Sequence, residues 1–72
     1  MINFGTSVHK IGNYVFDGCS NFPSKIELPN CTEIGRYAFR GCKNLESLIA
    51  PKCTFVDYNA FYDTKLWDVE PS

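Results

Sequence analysis

The 72 residues leave room for one domain at most, and their formal charge of −1 argues against nucleic acid or an anionic membrane surface as the main partner. An apolar share of 44 % with an aromatic share of 15 % excludes a disordered tail. A chain this short buries a smaller share of its surface than a larger one, so its core is marginal and often needs a staple or a partner.

Residues 1–10 open with Ile2 and Phe4 alternating with Asn3, the period-2 pattern of a strand with one buried face. Gly5-Thr6-Ser7 then turns the chain, and Val8 and Ile11 return inward. The same order recurs at Lys25-Ile26-Glu27-Leu28-Pro29, where Ile26 and Leu28 face in and Lys25 and Glu27 face out. Pro29 lacks a donor and belongs at the strand end. A third round is Ser47-Leu48-Ile49-Ala50-Pro51, and a fourth is Leu66-Trp67-Asp68-Val69-Glu70-Pro71. Each run is too short to make a sheet alone, but side by side they form a parallel ribbon.

Between these runs lies a block written three times. Ile11-Gly12-Asn13-Tyr14-Val15-Phe16-Asp17-Gly18-Cys19 returns as Ile34-Gly35-Arg36-Tyr37-Ala38-Phe39-Arg40-Gly41-Cys42, and a worn copy starts at Val56. The step is 23 residues from Ile11 to Ile34 and 22 from Ile34 to Val56. Periods of this size mark stacked-repeat architectures. The units fall at about 2–22, 23–45 and 46–66, with a partial unit at 67–72. Phe16, Phe39 and Phe61 are then expected in one column. Ala38 and Ala60 are small where coils approach closely, and Val15 is the larger variant. Each block has room for one helical or 3₁₀ turn, which Gly41 would end in a left-handed conformation.

These positions resemble the BspA-type leucine-rich repeat. Its unit reads approximately isoleucine-glycine-x-x-alanine-phenylalanine-x-x-cysteine-x-x-leucine, followed by leucine-x-x-isoleucine-x-isoleucine-proline. The second copy carries Ile34, Gly35, Ala38, Phe39, Cys42, Leu45, Leu48 and Pro51; the first carries Ile11, Gly12, Phe16, Cys19, Ile26, Leu28 and Pro29. The third keeps Val56, Ala60, Phe61 and Leu66 but has Asp57 for the glycine and Thr64 for the cysteine. The resemblance implies an α/β leucine-rich-repeat solenoid with a parallel ribbon on its concave face and short helical or 3₁₀ turns opposite. It implies adhesion or protein binding, as in bacterial and protist surface proteins and phage-borne proteins.

The four cysteines, at 19, 31, 42 and 53, lack the close ligand pairs of a zinc site. They repeat with the units, Cys19 over Cys42 and Cys31 over Cys53, and read as reduced core thiols. Nothing in the sequence orients His9, the only histidine, for catalysis. Asp57, Asp63, Asp68 and Glu70 lack calcium-loop spacing. The expectation is therefore no enzyme, no metal and no cofactor.

Surface remains. Outward strand positions form two columns: Lys25, Ser47 and Asp68 in one, Asn3, Glu27, Ile49 and Glu70 in the other. Ile49 is apolar among polar neighbours and Trp67 adjoins the last strand, so these two lead the candidate contacts. Tyr14, Arg36, Tyr37, Tyr58 and Tyr62 form a second candidate patch, with Tyr14 and Tyr37 read as packing between coils.

Residues 1–56 carry a net +2 and residues 57–72 a net −3, which suggests an acidic end able to meet the basic flank of another copy. No secretion signal opens the chain and no apolar run approaches membrane-spanning length. The expected location is the cytoplasm, or a virion or cell surface if the chain is a fragment. No end cap is recognisable, so a homo-oligomer is expected, most simply a two-fold dimer through one open end. The expected role is a small intracellular protein binder, such as a phage-borne inhibitor of a host protein. The alternative is a structural or adhesive repeat fragment.

Overall fold

A computed structural model describes residues 2–66, the side chain of Ile2 excepted. The expected fourth strand, with Trp67, Asp68, Val69 and Glu70, lies outside the described residues, as does the partial unit 67–72. Among the described residues there are six strands of two or three residues: β1 (Ile2–Asn3), β2 (Lys10–Ile11), β3 (Lys25–Glu27), β4 (Glu33–Ile34), β5 (Ser47–Ile49) and β6 (Phe55–Val56). They pair only in parallel, in two three-stranded sheets ordered β1-β3-β5 and β2-β4-β6. The chain thus makes three passes, each giving one strand to each sheet. This is a repeat solenoid, with two ribbons where the sequence suggested one.

Register follows the repeat. In the first sheet Ile2 pairs with Ile26 and Ile26 with Leu48, while Asn3, Glu27 and Ile49 align on the outer side. In the second, Ile11, Ile34 and Val56 align inward and Lys10, Glu33 and Phe55 outward. Ile11, Ile26, Leu28 and Ile34 are buried and Lys10, Lys25 and Glu33 exposed, so the period-2 alternation decides which side meets the core.

The expected helical side is absent: the described residues contain no helix, and the blocks are strings of turns. Alternate amides in them are committed to the next pass. Tyr14 N–H donates to Arg36 C=O (2.9 Å), Phe16 N–H to Ala38 C=O (2.7 Å) and Gly18 N–H to Arg40 C=O (2.7 Å). The next junction repeats this with Phe39 N–H to Ala60 C=O (2.8 Å) and Gly41 N–H to Tyr62 C=O (3.0 Å). Left-handed backbone at Tyr14 (φ 62°), Tyr37 (φ 54°), Gly18 (φ 79°) and Gly41 (φ 76°) is incompatible with a right-handed helical turn. The intervening amides bond locally, Asp17 N–H to Tyr14 C=O (3.3 Å) and Arg40 N–H to Tyr37 C=O (3.2 Å), so each block pairs by turns within its pass and by alternate amides with the next.

The interior is a phenylalanine stack. Phe16 lies on Phe39 with ring centroids 5.3 Å apart, and Phe39 on Phe61 at 5.4 Å and 8°. Phe4 and Phe22 flank this column at the first pass, each packed against Phe16. Burying one such ring contributes roughly 1.5–3 kcal/mol. No buried side-chain nitrogen or oxygen among the described residues lacks a hydrogen-bond partner.

Candidate functional site

The cysteines are the first chemistry to place. None forms a disulfide. Cys31 Sγ donates to Glu33 C=O (3.2 Å), Cys53 Sγ to Phe55 C=O (3.4 Å) and Cys42 Sγ to Phe16 C=O (3.2 Å). Burial raises the pKa of Cys31 and Cys53 and pushes Cys42 up to about 11. A nucleophilic cysteine needs the opposite direction. Where the third block has Thr64, its hydroxyl donates to Phe61 C=O (2.7 Å) and accepts from Leu66 N–H (3.0 Å). His9 is exposed, and the described residues hold no cluster of three potential metal ligands. They also hold no helix long and apolar enough to cross a membrane.

On the first sheet Lys25 is exposed beside Ser47, and Glu27 is partly buried between Asn3 and Ile49 in the outer column. Ile49 is 50 % exposed. The structure therefore brings Lys25, Glu27 and Ile49 onto one face. Trp67, Asp68 and Glu70, expected to extend it, lie outside the described residues.

The turn blocks carry a second group. Tyr14 and Tyr37 stack at 5.5 Å, and the Arg40 guanidinium lies 4.6 Å from the Tyr37 centroid and 6.0 Å from that of Tyr14. Two contacts to Asp17 (Nε–Oδ1 2.7 Å, Nη2–Oδ2 2.8 Å) hold that guanidinium and raise its pKa. This aromatic–cation stack ties the first pass to the second. Arg36 and Tyr58 occupy the same place in successive passes, where the first has Asn13. Arg36 is exposed while its backbone N–H donates to Asn13 Oδ1 (2.8 Å), and Tyr58 is 93 % exposed. Tyr62 is also exposed.

Sequence reasoning missed Phe55. It stands on the outer side of β6 at 54 % exposure, in line with Lys10 and Glu33, which form an ion pair at 3.4 Å. Beside this column runs a groove of about 270 Å³ bordered by Gly12, Asn13, Gly35 and Asp57. The signal was available: Lys10 and Glu33, both polar, share Phe55's repeat position and mark it as outward. Among the described residues, two exposed hydrophobic side chains, Ile49 and Phe55, thus stand last in the outer column of each sheet.

Comparison with known proteins follows the same lines. The family model for the BspA type leucine-rich repeat region (6 copies) matches residues 9–71. No curated protein and no solved structure matches the chain. With nearly its whole length covered by that match, the chain belongs to the BspA-type leucine-rich repeat family.

Proposed function

We propose that this chain is a non-catalytic module that binds another protein through the outer faces of its strand stack. The observation that carries this is the pair of exposed apolar residues, Ile49 and Phe55, at positions their register partners fill with polar side chains. A rigid strand stack holding a few apolar anchors among charged neighbours is suited to protein recognition, where a handful of residues supply most of the energy. The finer reading is a small intracellular binder, such as a phage-borne inhibitor of a host protein. Buried thiols kept as hydrogen-bond donors support a reducing compartment.

The test is affinity capture with three baits: the parent chain, Ile49→Glu and Phe55→Glu. Both sites are exposed, so the folds should persist, as far-UV circular dichroism would check. A partner held by the parent and weakened at least about tenfold by one variant is expected. Retention of the same proteins by all three baits overturns the surface assignment.

A further inference from the structure

The outer side of the second sheet carries two neighbouring columns. Lys10, Glu33 and Phe55 form one by strand register. Two residues further on in each pass stand Gly12, Gly35 and Asp57. The parallel ladder continues through them, with Gly35 N–H donating to Ile11 C=O (2.8 Å) and Asp57 N–H to Ile34 C=O (2.9 Å). The two glycines leave the second column bare, and the groove of about 270 Å³ lies between both columns. At Gly35 the bareness is compulsory, because a Cβ there would meet the backbone of Gly12 and Asn13 at 2.8 and 2.9 Å. In the third pass Asp57 takes the glycine's place and brings a carboxylate to the groove beside Phe55.

The charges around this groove do not balance. Lys10 and Glu33 neutralise each other at 3.4 Å. Asp57 is partly buried and both its backbone groups are bonded, but its carboxylate forms no ion pair among the described residues. Arg36, which follows Gly35, is exposed and forms none either. Residues two apart on a strand share a side and lie about 6.5 Å apart, so one planar cation can touch both the Phe55 ring and the Asp57 carboxylate. The chain itself shows such a pair with its cation in place. Arg40 bonds Asp17 through Nε and Nη2 and lies 4.6 Å from the Tyr37 ring centroid. Phe55 and Asp57 offer the same two kinds of group to a cation from outside.

We propose that this groove takes an arginine side chain of the protein partner, its stem over Gly12 and Gly35 and its guanidinium on Asp57 and against Phe55. The inference rests on the reading that the outer strand faces bind protein, and it names the chemistry one of them selects. Arginine fits better than lysine because its planar fork can meet a carboxylate with two donors while stacking on a ring. An acidic side chain is disfavoured there, since it would meet Glu33 and Asp57.

The test is an amide NMR titration of the 72-residue chain with N-acetyl-arginine amide. The control is N-acetyl-citrulline amide, which has the same shape without the charge. The expected result is saturable shifts at the amides of Gly12, Gly35, Phe55 and Asp57, with the citrulline probe at least about fivefold weaker. Added salt should weaken the arginine probe and leave the citrulline probe unchanged. Asp57→Asn should weaken the arginine probe about three- to tenfold, with the circular dichroism spectrum unaltered. No saturable shift at these amides, equal binding of the two probes, or full binding by folded Asp57→Asn overturns the proposal. The comparison of the two probes on the parent chain needs no variant, so it decides even if Asp57→Asn fails to fold. If Phe55→Glu loses the captured protein while neither probe moves the groove, the protein-binding reading stands and the arginine assignment falls.

Discussion

The first and second passes carry nearly the same sequence in different surroundings. Ala38, Phe39, Cys42 and Leu45 are completely buried, whereas Phe16, Cys19 and Phe22 are partly buried and Val15 is 51 % exposed. Phe39 has a ring on each side, Phe16 below and Phe61 above. Phe16 has Phe39 on one side and an open depression on the other. The lesson concerns energetics: in a stack the worth of a residue is set by the passes that flank it, so one motif holds a strong and a weak copy. Val15, bulkier than Ala38, stands half exposed, whereas Ala38 sits where two passes close on it.

Removing the paired rings is the harshest test of that difference. Phe39→Ala is expected to cost about 3–5 kcal/mol, most of the stability a chain of this length can have. Phe16→Ala, losing a ring that is already partly solvated, should cost roughly half as much. Urea unfolding followed by circular dichroism gives both numbers. Equal losses would mean that the end pass is packed as tightly as the middle one.

The glycines sharpen the same contrast. A Cβ built on Gly35 would meet Asn13 Oδ1 at 2.5 Å and the backbone of Gly12 and Asn13 at 2.8 and 2.9 Å. None of these yields easily, since Asn13 Oδ1 is already held by Arg36 N–H. A Cβ on Gly12 would meet only Val15 Cγ2, at 3.5 Å, an ordinary contact. Gly35→Ala should therefore cost about 1–3 kcal/mol and Gly12→Ala stay within about 1 kcal/mol of the parent in either direction. Thermal unfolding of the pair checks this, and a Gly12→Ala loss as large as that of Gly35→Ala would break the argument.

What the sequence made legible was whatever the period dictates. The phenylalanine column, the inward Ile26 and Leu28, the outward Lys25 and the left-handed Gly41 all follow from spacing and residue type. Asp63 takes the same left-handed backbone (φ 60°) where the third block lacks glycine, a conformation aspartate tolerates. The helical turns failed because the competition is between passes: a local segment offers no clue that Phe16 N–H will reach Ala38 C=O. The second sheet escaped notice because two-residue strands are too short to display alternation, and Phe55 went with it. The outer column of the first sheet was readable because Lys25-Ile26-Glu27-Leu28 is long enough to alternate.

The thiols provide the gentlest probe. Cys42 lies fully buried between passes and Cys19, its counterpart, is partly exposed at the end. Iodoacetamide at neutral pH should modify Cys19 first, with Cys42 slower by at least about tenfold because it reacts only through opening of the stack. Cys42 also keeps its proton up to about 11 in the folded chain against an ordinary value of 9.0, because burial disfavours the thiolate. Over that window the unfolded chain holds fewer protons than the folded one, so stability falls as pH rises. Below it the group contributes nothing to the pH dependence. The slope from this one thiol is at most about 1.4 kcal/mol per pH unit. Tyrosines and lysines titrate in the same range, so the comparison must be with Cys42→Ala, in which Cys31 and Cys53 are retained and their own upward shifts cancel. The stability gap between parent and variant should narrow between pH 9 and pH 11. A gap that stays constant would mean that Cys42 reaches solvent as readily as Cys19, and that the middle pass is no more closed than the first.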